Sequence, residues 1–583
     1  MRLRHGRTTK VWSKETSSSP VRVIRQALRA AIADKEERAW WSRLLKELLE
    51  AGDVVLASKA FDPLANRRLR EAQHDLLIRP PFGRMWRSFT GPVDAMPVDL
   101  FRVFVGVLSC AYFSRTFLEA PTFSSPQGLI DHGLVRKTLW YTRLGLFPAG
   151  AGLPFFRVVY ALAALASLLL AAGVGVKPTS AFLYATAVST FRWNFPVAYV
   201  DDALMHLTLL WMLLLPIGHT LTLPEWLSER GAAVERWKQV QVPGAAVRCL
   251  LVNLALVYIV AGLWKWRSPL WRRGLAVYAV LKTAISRTPE LWKPGHLPAL
   301  VVANHSALVL EPLFPLAFVL PKNHPLKWSL GAAMIGFHAG IIATMRIPFA
   351  NIACIGASVL VFSGEIMGWL RGPLANPPRA TGAAGVFDLP AKVASLLVGW
   401  LSLAMLSEAL RPLWRYGTPP AVRANKQLAN RTPGMGQNPF YGVLWCAGLA
   451  QSYRLFDWID HYNYHITYDV VQWRNDGPGH ILDGEALFPR TIRSVLLQSY
   501  LHGATWMKIP RHRLADLQRS LFERYARRFC RGCKESGRIE VTANVQRTTP
   551  ENLDLSRPQR MRFLSFTCKD GEPDIHFVRL TEE

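Results

Sequence analysis

Lys265 stands in the run AGLWKWRSP, close to the end of a long apolar stretch and between Trp264 and Trp266. An exposed lysine has a pKa near ~10.4 and stays protonated at neutral pH, so it acts as a base only when burial or nearby cations lower that value. On a helix, Gly262 and Ala261 fall on its face three and four residues earlier, and Tyr258 falls seven earlier. The two nearly absent side chains leave room beside the amine for another helix or a ligand. Two readings stand. In one, Lys265 snorkels to the headgroups from a helix end, with the tryptophans in an aromatic belt. In the other it is a partly desolvated amine and a base.

Other charged or ionisable residues interrupt apolar stretches: Arg102, Arg157, Arg192, His206, His219, His305, Glu311, His338, Glu365 and Glu408. Each is expensive in lipid and needs a partner or a purpose. Glu311 sits in mid-stretch beside Pro312, and His338 has Gly336 and Gly340 around it. Asp201 and Asp202 open another apolar stretch, where they can orient a cation such as Lys265 or an arginine, or cap a helix. Pairs of these residues would lock helices together; as a set they point to a polar cavity. There is no HExxH, GxSxG or Walker loop, so metalloprotease, lipase and ATPase readings have no residues behind them.

The elements that would position these side chains are long apolar helices. About nine such stretches follow one another, at 98–118, 154–175, 179–193, 203–221, 246–266, 297–320, 326–345, 348–370 and 391–413. The expected fold is therefore an all-α polytopic membrane bundle with a C-terminal soluble α+β domain. Its divisions are a basic N-terminal segment (1–95), a membrane domain (96–415), a linker (416–440) and the soluble domain (441–583). Residues 21–49 read as an amphipathic helix, on the membrane surface or on the protein itself. Residues 271–281 read as a short helix flat at the interface. In the last region YNYHITYDVVQW and GRIEVTANVQR have strand character, and 492–530 reads as helix broken near Pro510.

Half of the 583 residues are hydrophobic and the formal net charge is +28. The basic residues lie largely outside the apolar stretches, which favours contact with anionic lipid headgroups over nucleic acid, for which no motif is present. The basic N-terminus is expected in the cytoplasm of a cell whose inner membrane holds the bundle. The positive charges of 267–296 count against that orientation. Seven cysteines make no disulfide framework, and Cys530–Cys533 is a lone CxxC without the second pair that zinc would require.

The segments VDLFRVFVGVLS, FSSPQGLIDHGL, DDALMHLTLLWMLLLPIGHTLTL, VYIVAGLWKWRSPLWRRGLAVYAVL, LVLEPLFPLAFVL, GFHAGI and IPFANIACIGASVLVF, in that order, resemble the horizontally transferred transmembrane (HTTM) family. That family includes the vitamin K-dependent gamma-carboxylases, and AGLAQSYRLFDWIDHYNYHITY looks like the start of their extracytoplasmic domain. The resemblance implies that Lys265 is the base that deprotonates a reduced naphthoquinone. The quinol then reacts with dioxygen, and the strongly basic product takes a proton from a glutamate γ-carbon, which adds carbon dioxide. It implies a peptide or small-molecule target, with His219, Glu311 and His338 as cavity or helix-locking groups. The carboxylases carry a histidine where this chain has Asp201 or Asp202, and an acid there would hold Lys265 protonated. The rival expectation is a non-catalytic membrane protein that binds lipid or quinone or scaffolds partners, with Lys265 as an anchor.

Overall fold

The computed structural model describes residues 89–580 apart from 139, 230, 373–388, 416–462, 475–476, 490, 502–510 and 533–534. The helix expected over 21–49, the linker 416–440, Cys533 and the first residues of the C-terminal region lie outside that set. The described chain opens with strand β1 (Pro92–Asp94), which pairs antiparallel with β2 (Gln241–Pro243). The bundle is formed by α1 (Ala95–Phe123), α2 (Leu153–Ala172), α3 (Val176–Trp193), α4 (Val200–Leu214), α5 (Ala245–Arg267), α6 (Leu297–Leu313), α7 (Pro325–Thr344), α8 (Pro348–Val361), α9 (Ser363–Arg371) and α10 (Leu389–Arg415). Prolines in the first turn of α2, α6, α7 and α8 stand where their missing N–H costs nothing.

Five described segments are long and apolar enough to cross a membrane: α1, α2, α5, Pro294–Val319 (which contains α6) and α7. The pair α8–α9, bent by 58°, would make a sixth. The expected count was higher. Lys177 and Arg192 make α3 less apolar, α4 stops at Leu214 ahead of Pro216, and only the first part of α10 is described in full.

Buried ion pairs tie the bundle together. In α1, Asp99 and Arg102 lie one turn apart and are both fully buried. Asp99 accepts from Arg102 Nε and from the backbone N–H groups of Gly218, His219 and Thr220, at 2.6–3.0 Å. Arg102 donates to the carbonyls of Leu170 and Ala171 at the C-terminal end of α2 and of Thr220 and Leu221 in the turn after α4. Near the far end of the sequence Lys327 of α7 pairs with Glu365 of α9 at 2.9 Å.

Helix α5 ends alongside the C-terminal part of α6, where Lys265 meets Glu311 and Trp266 meets Leu308. The chain continues as two short helices, Pro269–Arg272 and Ala276–Lys282. Asn304 of α6 holds this broken backbone, donating to the Trp271 carbonyl at 2.7 Å and accepting from Val277 N–H at 3.3 Å. Irregular backbone at membrane depth requires that kind of partner. The short helix expected over 271–281 is split in two here, with its break at Arg273–Leu275. Trp271, Ala276 and Tyr278–Leu281 are buried against Leu300, Leu308 and Ile347 of the bundle and Ile492 of the C-terminal region, and the Tyr278 hydroxyl donates to Leu553 O at 2.6 Å.

The C-terminal region is a five-stranded antiparallel sheet of order β4-β3-β5-β6-β7, made of β3 (Tyr464–Arg474), β4 (Gly477–Leu482), β5 (Glu535–Arg547), β6 (Gln559–Lys569) and β7 (Glu572–Val578). Helices α11 (Ile492–Leu501) and α12 (Arg511–Cys530) cover one face. Phe522, Tyr525, Ile539, Val541, Phe563 and Phe566 share one hydrophobic core with Phe123, Leu129, Phe195 and Val197 of the bundle. The sheet region is therefore packed on the bundle end rather than tethered to it. Cys530 is bonded to Cys568 of β6, not to its sequence neighbour Cys533, and so joins α12 to the sheet.

Candidate functional site

Lys265 Nζ contacts Glu311 Oε2 directly, and the two residues are 1% and 3% exposed. The ammonium group also lies 5.1 Å from the centre of the Trp271 ring, a cation–π arrangement. Local sequence brings the pair together. A Cβ on Gly262 would stand 2.9 Å from the Pro312 ring, so glycine lets α6 approach α5 one turn before Lys265 and places Glu311 opposite it. Pro312 has no N–H to offer the Leu308 carbonyl, and Trp266 Nε1 donates to that oxygen at 3.0 Å instead. Lys265 thus does not snorkel. Its helix ends next to Glu311, and the amine is buried against that carboxylate instead of reaching out from the helix end.

Tyr258, two turns before Lys265, heads a second chain of polar groups. Its hydroxyl is 2.8 Å from His338 Nε2, and His338 Nδ1 is 2.8 Å from Asn351 Oδ1. Asn351 Nδ2 donates to Ile347 O at 2.7 Å, which orients the amide oxygen toward the ring. Nδ1 therefore carries the proton, and Nε2 accepts from the tyrosine. The Cys354 thiol lies against the same hydroxyl, and Phe314 packs edge-on to the Tyr258 ring at 5.3 Å.

The other expected members lie elsewhere. Asp202 accepts from Tyr112 at 2.6 Å, from Tyr199 N–H at 3.0 Å and from both terminal nitrogens of Arg493 at 2.7 and 3.1 Å. Arg493 belongs to α11 of the sheet region, is buried, also pairs with Glu119 at 2.8 Å and lies over the Tyr199 ring. Asp201 accepts from Ala350 N–H at 2.8 Å and so caps α8 from a neighbouring helix. The acid that holds Lys265 is Glu311, not Asp201 or Asp202. The His219 side chain is exposed, and only its backbone takes part in the Asp99 cluster. It is not a cavity residue.

Sequence reasoning missed Asp99, Asn351, Trp271 and Arg493. Asp99 had a local signal, its i,i+3 spacing to Arg102. Arg493 had none.

The bundle holds an apolar cavity of about 40 Å³ between α1, α4, α5 and α8, lined by Phe101, Trp211, Asn253, Leu254, Val257 and Cys354 among others. Neither Lys265 nor Glu311 lines it. Lys265 is buried with Glu311 and the Trp271 ring against its amine, so a reduced naphthoquinone has no open space beside it in this arrangement. Among the described residues no His, Cys, Asp or Glu cluster has the makings of a metal site. No family model, no curated protein and no solved structure matches this chain.

Proposed function

We propose that this chain is a multi-pass membrane enzyme in which Lys265 and Glu311 form a proton-exchanging pair that acts on a quinol-like or other lipophilic substrate. The observation that carries this reading is a lysine–glutamate contact buried within the bundle and closed by one shared hydrogen bond. In low dielectric such a pair has two states of equal net charge: ammonium with carboxylate, or amine with carboxylic acid. Proton movement between them changes no net charge, and the neutral state escapes the desolvation cost that a buried ammonium and carboxylate carry. With the proton on Glu311, the Lys265 amine accepts a proton from a substrate hydroxyl. The segment resemblance to the HTTM family favours the same residue. No step through a naphthoquinol is drawn, since this arrangement leaves no open space for one beside Lys265.

The helix order supports nine crossings, with α3, α4 and α10 counted beside the longer helices. Residue 95 and the sheet region then lie on opposite faces. The Cys530–Cys568 bond favours an oxidising compartment for the sheet region, which leaves the basic N-terminal segment in the cytoplasm against the anionic headgroups of the inner membrane. Two of the six Lys and Arg residues of 267–296 are tied to backbone. Lys282 donates to Pro289 O and Trp292 O, and Arg287 to Ile342 O.

The second reading is a non-catalytic membrane protein in which the pair only locks helices. Asp99–Arg102 and Lys327–Glu365 favour it, being buried pairs with that role in the same bundle. The experiment that separates the two is pH-dependent amine labelling of Lys265 in nanodiscs, with Lys265→Arg as control. An apparent pKa near or below about 8 marks a base-competent amine. A value near ~10.4 or above marks a permanently charged anchor and overturns the enzyme reading.

A further inference from the structure

The Lys265–Glu311 pair is sealed, yet what seals it on the outer side is thin. Around it α5 and α6 are joined by the pair itself, by the Gly262–Pro312 contact and by the indole hydrogen bond from Trp266 to Leu308 O. Trp266 is 49% exposed, and Leu263 and Leu313 beside it are 50% and 38% exposed. These surfaces belong to candidate membrane spans, and in the membrane reading they face hydrocarbon. The carbonyl that holds Trp266 is available only because Pro312 cannot donate to it. At Trp266 itself the two helices are joined by this one side-chain hydrogen bond. On the opposite side the pair is backed by buried groups: Trp271 against the amine, with Tyr258 and His338 beyond.

We propose that the α5–α6 seam is a lateral entrance from the bilayer, with Trp266 as its gate, through which a lipophilic molecule bearing a proton-donating head reaches Lys265 and Glu311. The proposal rests on the reading of that pair as the reactive centre, and it names the route and the class of ligand. Swinging the Trp266 indole away breaks one hydrogen bond and uncovers Lys265 to the hydrocarbon phase, while the Gly262–Pro312 contact keeps the helices in register. A head group that enters there meets the pair directly; an apolar tail remains in the lipid, where it costs nothing. This also accounts for the lack of room around Lys265, since the space arises on opening.

The test uses the full chain in phosphatidylcholine nanodiscs and two carbodiimides that modify a protonated carboxyl group. Dicyclohexylcarbodiimide dissolves in the bilayer; a charged ethyl-dimethylaminopropyl carbodiimide stays in water. Modification of Glu311 is read by peptide mass spectrometry. The lipid-phase reagent is expected to modify Glu311 and the aqueous one to leave it untouched. Trp266→Phe, which keeps the ring and loses the N–H, should raise the lipid-phase rate about fivefold, what one lost hydrogen bond in the closed state is worth. Trp266→Ala should raise it further. Preferential modification by the aqueous reagent would place the entrance on the water side and overturn the proposal. Absence of modification even in Trp266→Ala would show a permanently sealed pair and overturn it too. Failure of the enzyme reading looks different: Glu311 would be modified from the lipid, yet the labelling pKa of Lys265 would stay near ~10.4.

Discussion

Two buried ion pairs in this bundle are built in opposite ways. Asp99 and Arg102 are saturated, with every donor and acceptor drawn into a web that closes the ends of α2 and the 218–221 turn. Lys265 and Glu311 hold each other and one aromatic face. A saturated pair cannot give up its proton or its charge without stranding several backbone groups, whereas a pair with one shared hydrogen bond can. The first arrangement is what a lock requires, and the second is what proton transfer requires.

Removing both partners gives the largest contrast. Lys265→Met with Glu311→Leu is expected to be neutral or to stabilise the fold by about 1–4 kcal/mol, as happens when apolar groups replace a buried pair. Asp99→Leu with Arg102→Met should instead unfold the bundle or cost well over about 3 kcal/mol, since each stranded backbone group adds about 1–3 kcal/mol. Thermal unfolding of the purified variants measures both. Equal losses in the two double variants would erase the distinction and make both pairs locks.

Arg493→Ala leaves Asp202 and Glu119 buried without their cation and should cost about 3–5 kcal/mol. Because Arg493 joins the sheet region to the bundle, the loss should also appear as faster proteolysis across that junction. An unchanged cleavage rate would mean that the shared apolar core alone holds the two together. Cys568→Ser should destabilise the sheet region by about 2–4 kcal/mol, with the bundle's own transition unmoved.

The smallest effect concerns His132, buried between Trp193 and the loop after α1. Burial pushes its pKa down to about 4 from the usual 6.5. The folded state therefore keeps the ring neutral where the unfolded chain already binds a proton. The contribution is complete above about 6.5, shrinks as pH falls, and is gone near about 4. His132→Gln should flatten that part of the pH profile of the melting temperature. A profile with the same slope in the variant would assign it to other groups.

Much of the bundle was legible in order because apolar runs of bilayer length admit few alternatives, and the alternation in 462–473 and 537–547 showed as strands for a similar reason. The cost of burying a charge singled out Lys265, Glu311 and His338 one by one. It did not distinguish His219, whose side chain is outside, from those inside. It also gave no reason to expect that 271–281 would be split in two and buried.

The sequence by itself determined an apolar helical body, a β-rich C-terminal region and a set of polar side chains too costly to be idle. Tertiary structure alone decided their partners. Glu311 reaches Lys265 across 46 residues, and Arg493 reaches Asp202 across 291. Helical and strand periods relate only neighbours a few residues apart, so no local pattern encodes such contacts. They follow from which helices meet, and here that turns on Gly262 admitting Pro312.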